Sequence, residues 1–142
     1  MSTNSSDADV DIAKLVDRLL RRIHGQLNAT AASFDHHKLG PNAGMILLTI
    51  AEAEPLRMQD LVARIARDKS QMTRIVGMLE AKGLLIRREA PGDARGRELA
   101  LTDAGRVAVA DIQRGVAIAL DEVLAPFSAQ DRQDLKTLLQ KI

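Results

Sequence analysis

The chain has no cysteine, tryptophan or tyrosine, and its only phenyl rings are Phe34 and Phe127. Without thiols it has no disulfide scaffold, thiolate metal site, cysteine nucleophile or thiol-based redox sensor. With two phenylalanines, a ligand pocket lined by stacked rings is not expected; its walls would have to be aliphatic side chains and methionine. No apolar run approaches the ~20 residues of a membrane-crossing helix; the longest lies around Met45-Ile46-Leu47-Leu48. The polar, acidic start, Met1 to Asp9, lacks the apolar segment of a signal peptide. There is no glycine-rich phosphate loop, no H-E-x-x-H and no recognisable Ser/His/Asp set, so nothing points to catalysis. A cytoplasmic, soluble, non-enzymatic protein without cofactor or membrane contact is expected. Its 142 residues suit one domain, able to bury roughly two-thirds of the surface that the unfolded chain exposes.

The net charge of +1 conceals an uneven distribution. Residues 57–106 carry 11 Lys/Arg against 7 Asp/Glu, while the remainder carries 9 against 12. A basic middle between acidic flanks suits a polyanion-binding segment held by parts with another task.

Residues 1–9 are expected as a disordered tail, with Asp9 as the N-cap of the first helix. From Val10 to about Ala32, Ile12, Leu15, Val16, Leu19, Ile23 and Leu27 recur at helical spacing and predict a long amphipathic helix. Pro41 opens a second helix that reaches about Ala53. Met58 to Ala66, burying Leu61, Val62 and Ile65, and Lys69 to Ala81, burying Met72, Ile75, Val76 and Leu79, predict a short helix pair across a tight link at Arg67-Asp68. Asp68 and Gln71 have capping-box spacing, and Gly83 stands where a left-handed cap belongs. The period then changes: Leu84 to Arg88 and Glu98 to Leu101 read as strands around a charged, turn-rich loop from Ala90 to Arg97. Thr102 or Asp103 caps a helix to about Leu124, Pro126 breaks it, and Ser128 caps a last helix.

A tight helix pair followed by a basic hairpin is a helix-turn-helix with a wing. Its second helix offers Lys69, Ser70, Gln71, Thr73 and Arg74 in the N-terminal half. Arg and Gln can contact guanine and adenine edges bidentately, and Ser and Thr can reach bases or phosphates. The plainer alternative is that these residues form the solvated face of an amphipathic helix.

Asp93, Arg95, Leu99, Leu101, Thr102 and Gly105 form the pattern D-x-R-x-x-x-L-x-L-T-x-x-G. With Asp68-Lys69-Ser70-Gln71-Met72-Thr73-Arg74 and Leu79 to Arg87, it resembles the MarR family over nearly the whole of residues 10–142. The resemblance implies a mainly α, α+β winged-helix fold of six helices with a two- or three-stranded β-wing. It implies a homodimer whose N- and C-terminal helices (10–36 and 104–142) interleave, with the winged helix-turn-helix at 41–103. It also implies a regulator, by default a repressor, that binds double-stranded DNA at an inverted repeat. Arg95 would enter the minor groove with Asp93 steering it, and Arg88, Arg97 and Arg67 would add charge along the groove. Two positions depart from the family's pattern: Arg57 stands where Ser or Thr commonly caps, and Ala66-Arg67 replaces a Gly-apolar pair.

Relatives often bind small effectors, and a small anionic or apolar one is possible here, with His24, His36, His37 and Met45 as candidate contacts. Adjacent histidines in a helix connection are more often plain surface residues. His36 and His37 also lack the spacing that aims two ligands at one ion, so no metal site is expected. A winged helix that binds protein instead of DNA is the rival reading, and steep salt dependence would argue against it.

Overall fold

In the computed structural model, residues 2–65, 68–90 and 92–142 are described, though not the side chains of residues 2, 3, 90 and 93–95. The helices are α1 (Ser2–Thr30), α2 (Gly40–Ala53), α3 (Met58–Ile65), α4 (Lys69–Ala81), α5 (Asp103–Val123) and α6 (Ala129–Leu139), with a short 3-10 turn at Ala31–Ser33. Strands β1 (Leu85–Ala90) and β2 (Asp93–Leu101) pair antiparallel. This is the winged-helix architecture expected. No described helix is long and apolar enough to cross a membrane.

The chain divides into two compact units, residues 31–115 and residues 1–30 with 116–142. In the first unit, Ile46, Leu47 and Ile50 of α2, Leu61 of α3 and Met72, Val76 and Leu79 of α4 are at most 2% exposed. Their three- and four-residue spacing gives each helix one apolar face, and burial of each large side chain contributes about 1.5–3 kcal/mol. Val62, Ile65 and Ile75, expected in the same core, are only partly buried. Leu84, Leu85, Leu99 and Leu101 anchor the wing's root to this core. Leu56 adds a one-residue third strand, exchanging N–H···O bonds with Leu99 at 2.8 and 3.4 Å.

In the second unit, α6 starts with a capping box in which Ser128 and Asp131 each accept the other's backbone N–H at 3.0 Å. Arg132 ties α6 to the end of α5 through Asp121 (2.9 Å) and the carbonyl of Leu124 (3.0 Å). The start of α1 differs from expectation. Asn4 to Asp9 are helical and exposed, not a disordered tail. No proline or glycine occurs before Gly25, and extending an existing helix fixes one residue per hydrogen bond gained.

Candidate nucleic-acid interface

Helix α4 has the bounds expected and a different cap. Asp68 Oδ1 accepts from the Ser70 N–H (2.8 Å) and the Ser70 hydroxyl (2.7 Å), so the cap closes on Ser70 rather than in a box with Gln71. The Ser70 hydroxyl and N–H hold the exposed Asp68 carboxyl below its ordinary pKa, which fixes a negative charge at the positive end of the helix. At the other end Gly83 takes φ +75°. Gly83 N–H donates to Glu80 O (2.9 Å) and Leu84 N–H to Leu79 O (3.0 Å), the paired bonds of a Schellman cap.

Between these caps, Lys69, Ser70, Gln71, Thr73 and Arg74 are all exposed, opposite the buried Met72, Val76 and Leu79. Two of the five are already engaged as donors: Ser70 to Asp68, and Thr73 Oγ1 to the carbonyl of Lys69 at 2.9 Å. Their hydroxyls face an outside partner mainly as acceptors. The side chains of Lys69, Gln71 and Arg74 have no hydrogen bond or ion pair among the described residues, so their donors are available. Arg67, the remaining candidate near this helix, lies outside the described residues.

The wing is longer than expected. Glu89 and Arg97, outside the expected strands, belong to the ladder opposite each other, next to the expected pair of Arg88 and Glu98, and β2 begins at Asp93. Cross-strand opposite charges favour pairing, which the turn-like composition of this stretch masks. The register slips between Glu89 and Ala90, and residues 94–96 of β2 fall in that irregularity, a bulge of the kind that bends a strand. Arg88 is ion-paired with Glu98 at 3.7 Å and Arg97 is exposed on the ladder. The side chains of Asp93 and Arg95 lie outside the described ones.

Helix, wing and α5 are locked at a common root. Thr102 N–H donates to Leu84 O (3.1 Å), the Thr102 hydroxyl donates to Gly83 O (2.6 Å), and the same hydroxyl accepts from Gly105 N–H (3.0 Å). A Cβ on Gly105 would lie 2.1 Å from Leu84 O, so only glycine permits this approach. Glu54, just past α2, accepts from Leu101 N–H (2.7 Å) and from Arg106 Nη1 (2.6 Å). Burial would raise its pKa, but the Leu101 N–H, the Arg106 guanidinium and the charges of Arg106 and Arg88 together hold it below the ordinary value. Sequence reasoning misses Glu54 because its partners lie 47 and 52 positions away.

The candidate effector contacts are not brought together as a set. An open recess of about 550 Å³ in the unit of residues 31–115 is lined by His36 and Lys38 with Asp35 and small residues. His36 Nε2 stands 3.9 Å from Asp111, which Arg114 also pairs. His37 and Met45 are absent from that lining, the His37 carbonyl accepting from Lys82 Nζ at 2.7 Å. His24 is exposed in the other unit. Among the described residues no three His or carboxylate side chains cluster as a metal site would.

Residues 37–96 match the MarR family model. The chain is 30% identical over 97 residues to the HTH-type transcriptional regulator YdgJ of Bacillus subtilis, covering 68% of this chain and 59% of that protein. It is 28% identical over 132 residues to ExpG, a transcriptional activator of exopolysaccharide II synthesis in Rhizobium meliloti, covering 93% and 66%. The chain thus spans between about three-fifths and two-thirds of the length of these relatives. Its fold is that of a mutant Escherichia coli MarR complexed with operator DNA (TM-score 0.79, 20% identity, 95% of each chain). It is also that of Bordetella bronchiseptica BpsR, whose DNA binding is regulated by 6-hydroxynicotinic acid (TM-score 0.77, 20% identity, 92% and 97% covered).

Proposed function

We propose that this chain is a regulator of the MarR family, whose model matches residues 37–96, and that it acts as a homodimeric DNA-binding transcription regulator, by default a repressor. The observation that carries the reading is the face of α4, where Lys69, Gln71 and Arg74 stand exposed with their donors unengaged among the described residues, beside a basic wing. A helix with this face fits a major groove, which is about 12 Å wide. There Gln71 and Arg74 read base edges while Lys69, Ser70 and Thr73 meet phosphates or bases. The wing, with Arg88 and Arg97 along it and Asp93 and Arg95 near its tip, meets the adjacent minor groove, whose negative potential attracts arginine. Arg67 adds charge at the turn.

Dimerisation is supported by the unit of residues 1–30 and 116–142. Val10, Ile12, Leu15, Val16 and Leu20 of α1 are 46–59% exposed, and Leu138, Leu139 and Ile142 are more than half exposed. Apolar residues at helical spacing without cover within their own chain form a self-association surface. Two copies then read an inverted repeat with half-sites about 10 bp apart. The relative named as an activator is a reason to assign the sign of regulation to the promoter arrangement as much as to the fold. A small anionic or apolar effector that releases DNA is part of the proposal, and His36 with Lys38 is its best-placed contact; His24, His37 and Met45 are secondary. The protein acts where the DNA is, in the cytoplasm, and needs no cofactor.

The test is a split in phenotype. Arg95→Ala should weaken binding to most duplexes and lower the salt slope by about one ion, whereas Gln71→Ala and Arg74→Ala should relax sequence preference. Identical behaviour of all three would refute the division of labour between wing and helix.

A further inference from the structure

Strand β2 lies between β1 and the one-residue strand at Leu56, so side chains near its centre are flanked on both sides. Glu98 is one of them. It stands directly opposite Arg88, and its side chain is only 16% exposed, against 54% for Arg88. We propose that Glu98 is a positioning residue that restrains DNA binding, holding the Arg88 guanidinium back from the phosphate that the wing meets. The inference deepens the DNA-binding reading above and rests on it.

Successive strand residues point to opposite faces, so Glu98 shares its face with Ala100, which is buried. The Glu98 Oε2 is closed off from solvent and, among the described residues, receives no hydrogen bond. The Arg88 Nε stands 3.7 Å away, too far for a hydrogen bond and close enough for attraction between opposite charges. Glu54, similarly enclosed, is the contrast. It accepts from Leu101 N–H and from Arg106 Nη1, and the Arg88 charge also helps to hold it ionised. Arg88 thus serves two enclosed carboxylates, and of the two only Glu54 has other donors among the described residues.

This arrangement sets how Arg88 can meet DNA. A phosphate can take the guanidinium only by drawing it from Glu98. A buried charge that loses its partner costs more than the pair itself contributes, so the phosphate contact is weakened by that cost. While the pair stands, the two charges largely cancel at the distance of the groove, and Arg88 adds little to the field of the wing. A carboxylate at this place in a basic wing lowers the sequence-independent attraction that every duplex exerts. Base reading by α4 is untouched, so the ratio of specific to non-specific binding is kept at a lower overall affinity.

The test measures binding against salt concentration on two duplexes of about 30 bp, one from the DNA flanking the protein's own gene and one scrambled. Glu98→Gln keeps the shape and removes the charge. It should strengthen binding to both by about three- to tenfold, between the worth of an exposed ion pair and of a charge-assisted hydrogen bond. The salt slope should steepen by about one, as one more phosphate is neutralised. In an Arg88→Met background the same substitution should change affinity by less than about twofold and leave the slope alone. Glu98→Asp keeps the charge and should keep the slope. If Glu98→Gln melts early, Glu98→Thr, a good strand former, takes its place. An unchanged or shallower slope in Glu98→Gln, a gain confined to one duplex, or an equal gain beside Arg88→Met overturns the restraint while leaving DNA binding intact. Failure of both the unaltered protein and Glu98→Gln to bind either duplex overturns the DNA-binding reading as well.

Discussion

Two glycines should respond to the same substitution with opposite signs. Gly105 is buried near the start of α5, where an added methyl would meet the Leu84 carbonyl oxygen at 2.1 Å and Leu101 Cδ2 at 3.3 Å. That oxygen is backbone and already accepts the Thr102 N–H, so no side chain can swing aside. Either the carbonyl or the first turn of α5 must move by roughly 1 Å to leave the repulsive range. Overpacking of this kind costs about 1–3 kcal/mol, and straining the Thr102 bond adds about 1 kcal/mol. Better helix propensity returns about 0.5–1 kcal/mol, for a net loss of about 1–3 kcal/mol. Gly77, on the exposed face of α4, would meet nothing within 4 Å; alanine there should add about 0.5–1 kcal/mol through propensity alone. Urea unfolding of the three proteins at one fixed concentration, needed because association shifts apparent stability, reads both values. Gly105→Ala as stable as the unaltered chain would refute the locked root of α4, wing and α5.

Other consequences are open to measurement. Leu15→Asp places a charge in the exposed apolar stripe of α1 and should shift sedimentation from dimer to monomer; an unchanged dimer would place the interface elsewhere. Glu54 has a depressed pKa, so in the acidic range the folded chain binds fewer protons than the unfolded one and stability rises with pH. Its contribution is complete above the ordinary glutamate pKa and is lost as pH falls through the folded value. Glu54→Gln should therefore flatten the acid limb of the stability curve, and an unaltered limb would mean that the Leu101 and Arg106 contacts are not maintained in solution. Phe34 sits where a Cβ on Gly115 would lie, at 2.2 Å from its Cγ. Gly115→Ala should thus expel the ring and lower stability by about 1–3 kcal/mol, read in the same urea series.

What is legible in the sequence depends on how local its cause is. The bounds of Lys69 to Ala81 can be read directly because Asp68 and Gly83 act within a few residues of the helix they end. Ser128 caps α6 for the same reason. The stretch from Ala90 to Arg97 reads as a loop from composition, whereas Asp93 and Arg97 belong to a strand through partners across the hairpin, Ala90 and Glu89. Residues 4–9 read as a tail because their polarity says nothing about whether a neighbouring helix will propagate through them. Glu54 and Gly105 carry roles set by contacts far along the chain, and no spacing rule reports those. Among the candidate effector residues, proximity in sequence joins His36 to His37, whereas the structure sets His36 with Lys38 and turns the His37 carbonyl to Lys82.

DNA binding itself is tested most directly by titrating the protein into duplex DNA flanking its own gene at low and physiological salt, beside Arg95→Ala. Tight binding that falls steeply with salt and weakens in Arg95→Ala is the result predicted. Salt-insensitive binding, or affinity indifferent to Arg95, would contradict the account and turn attention to a protein partner for the wing.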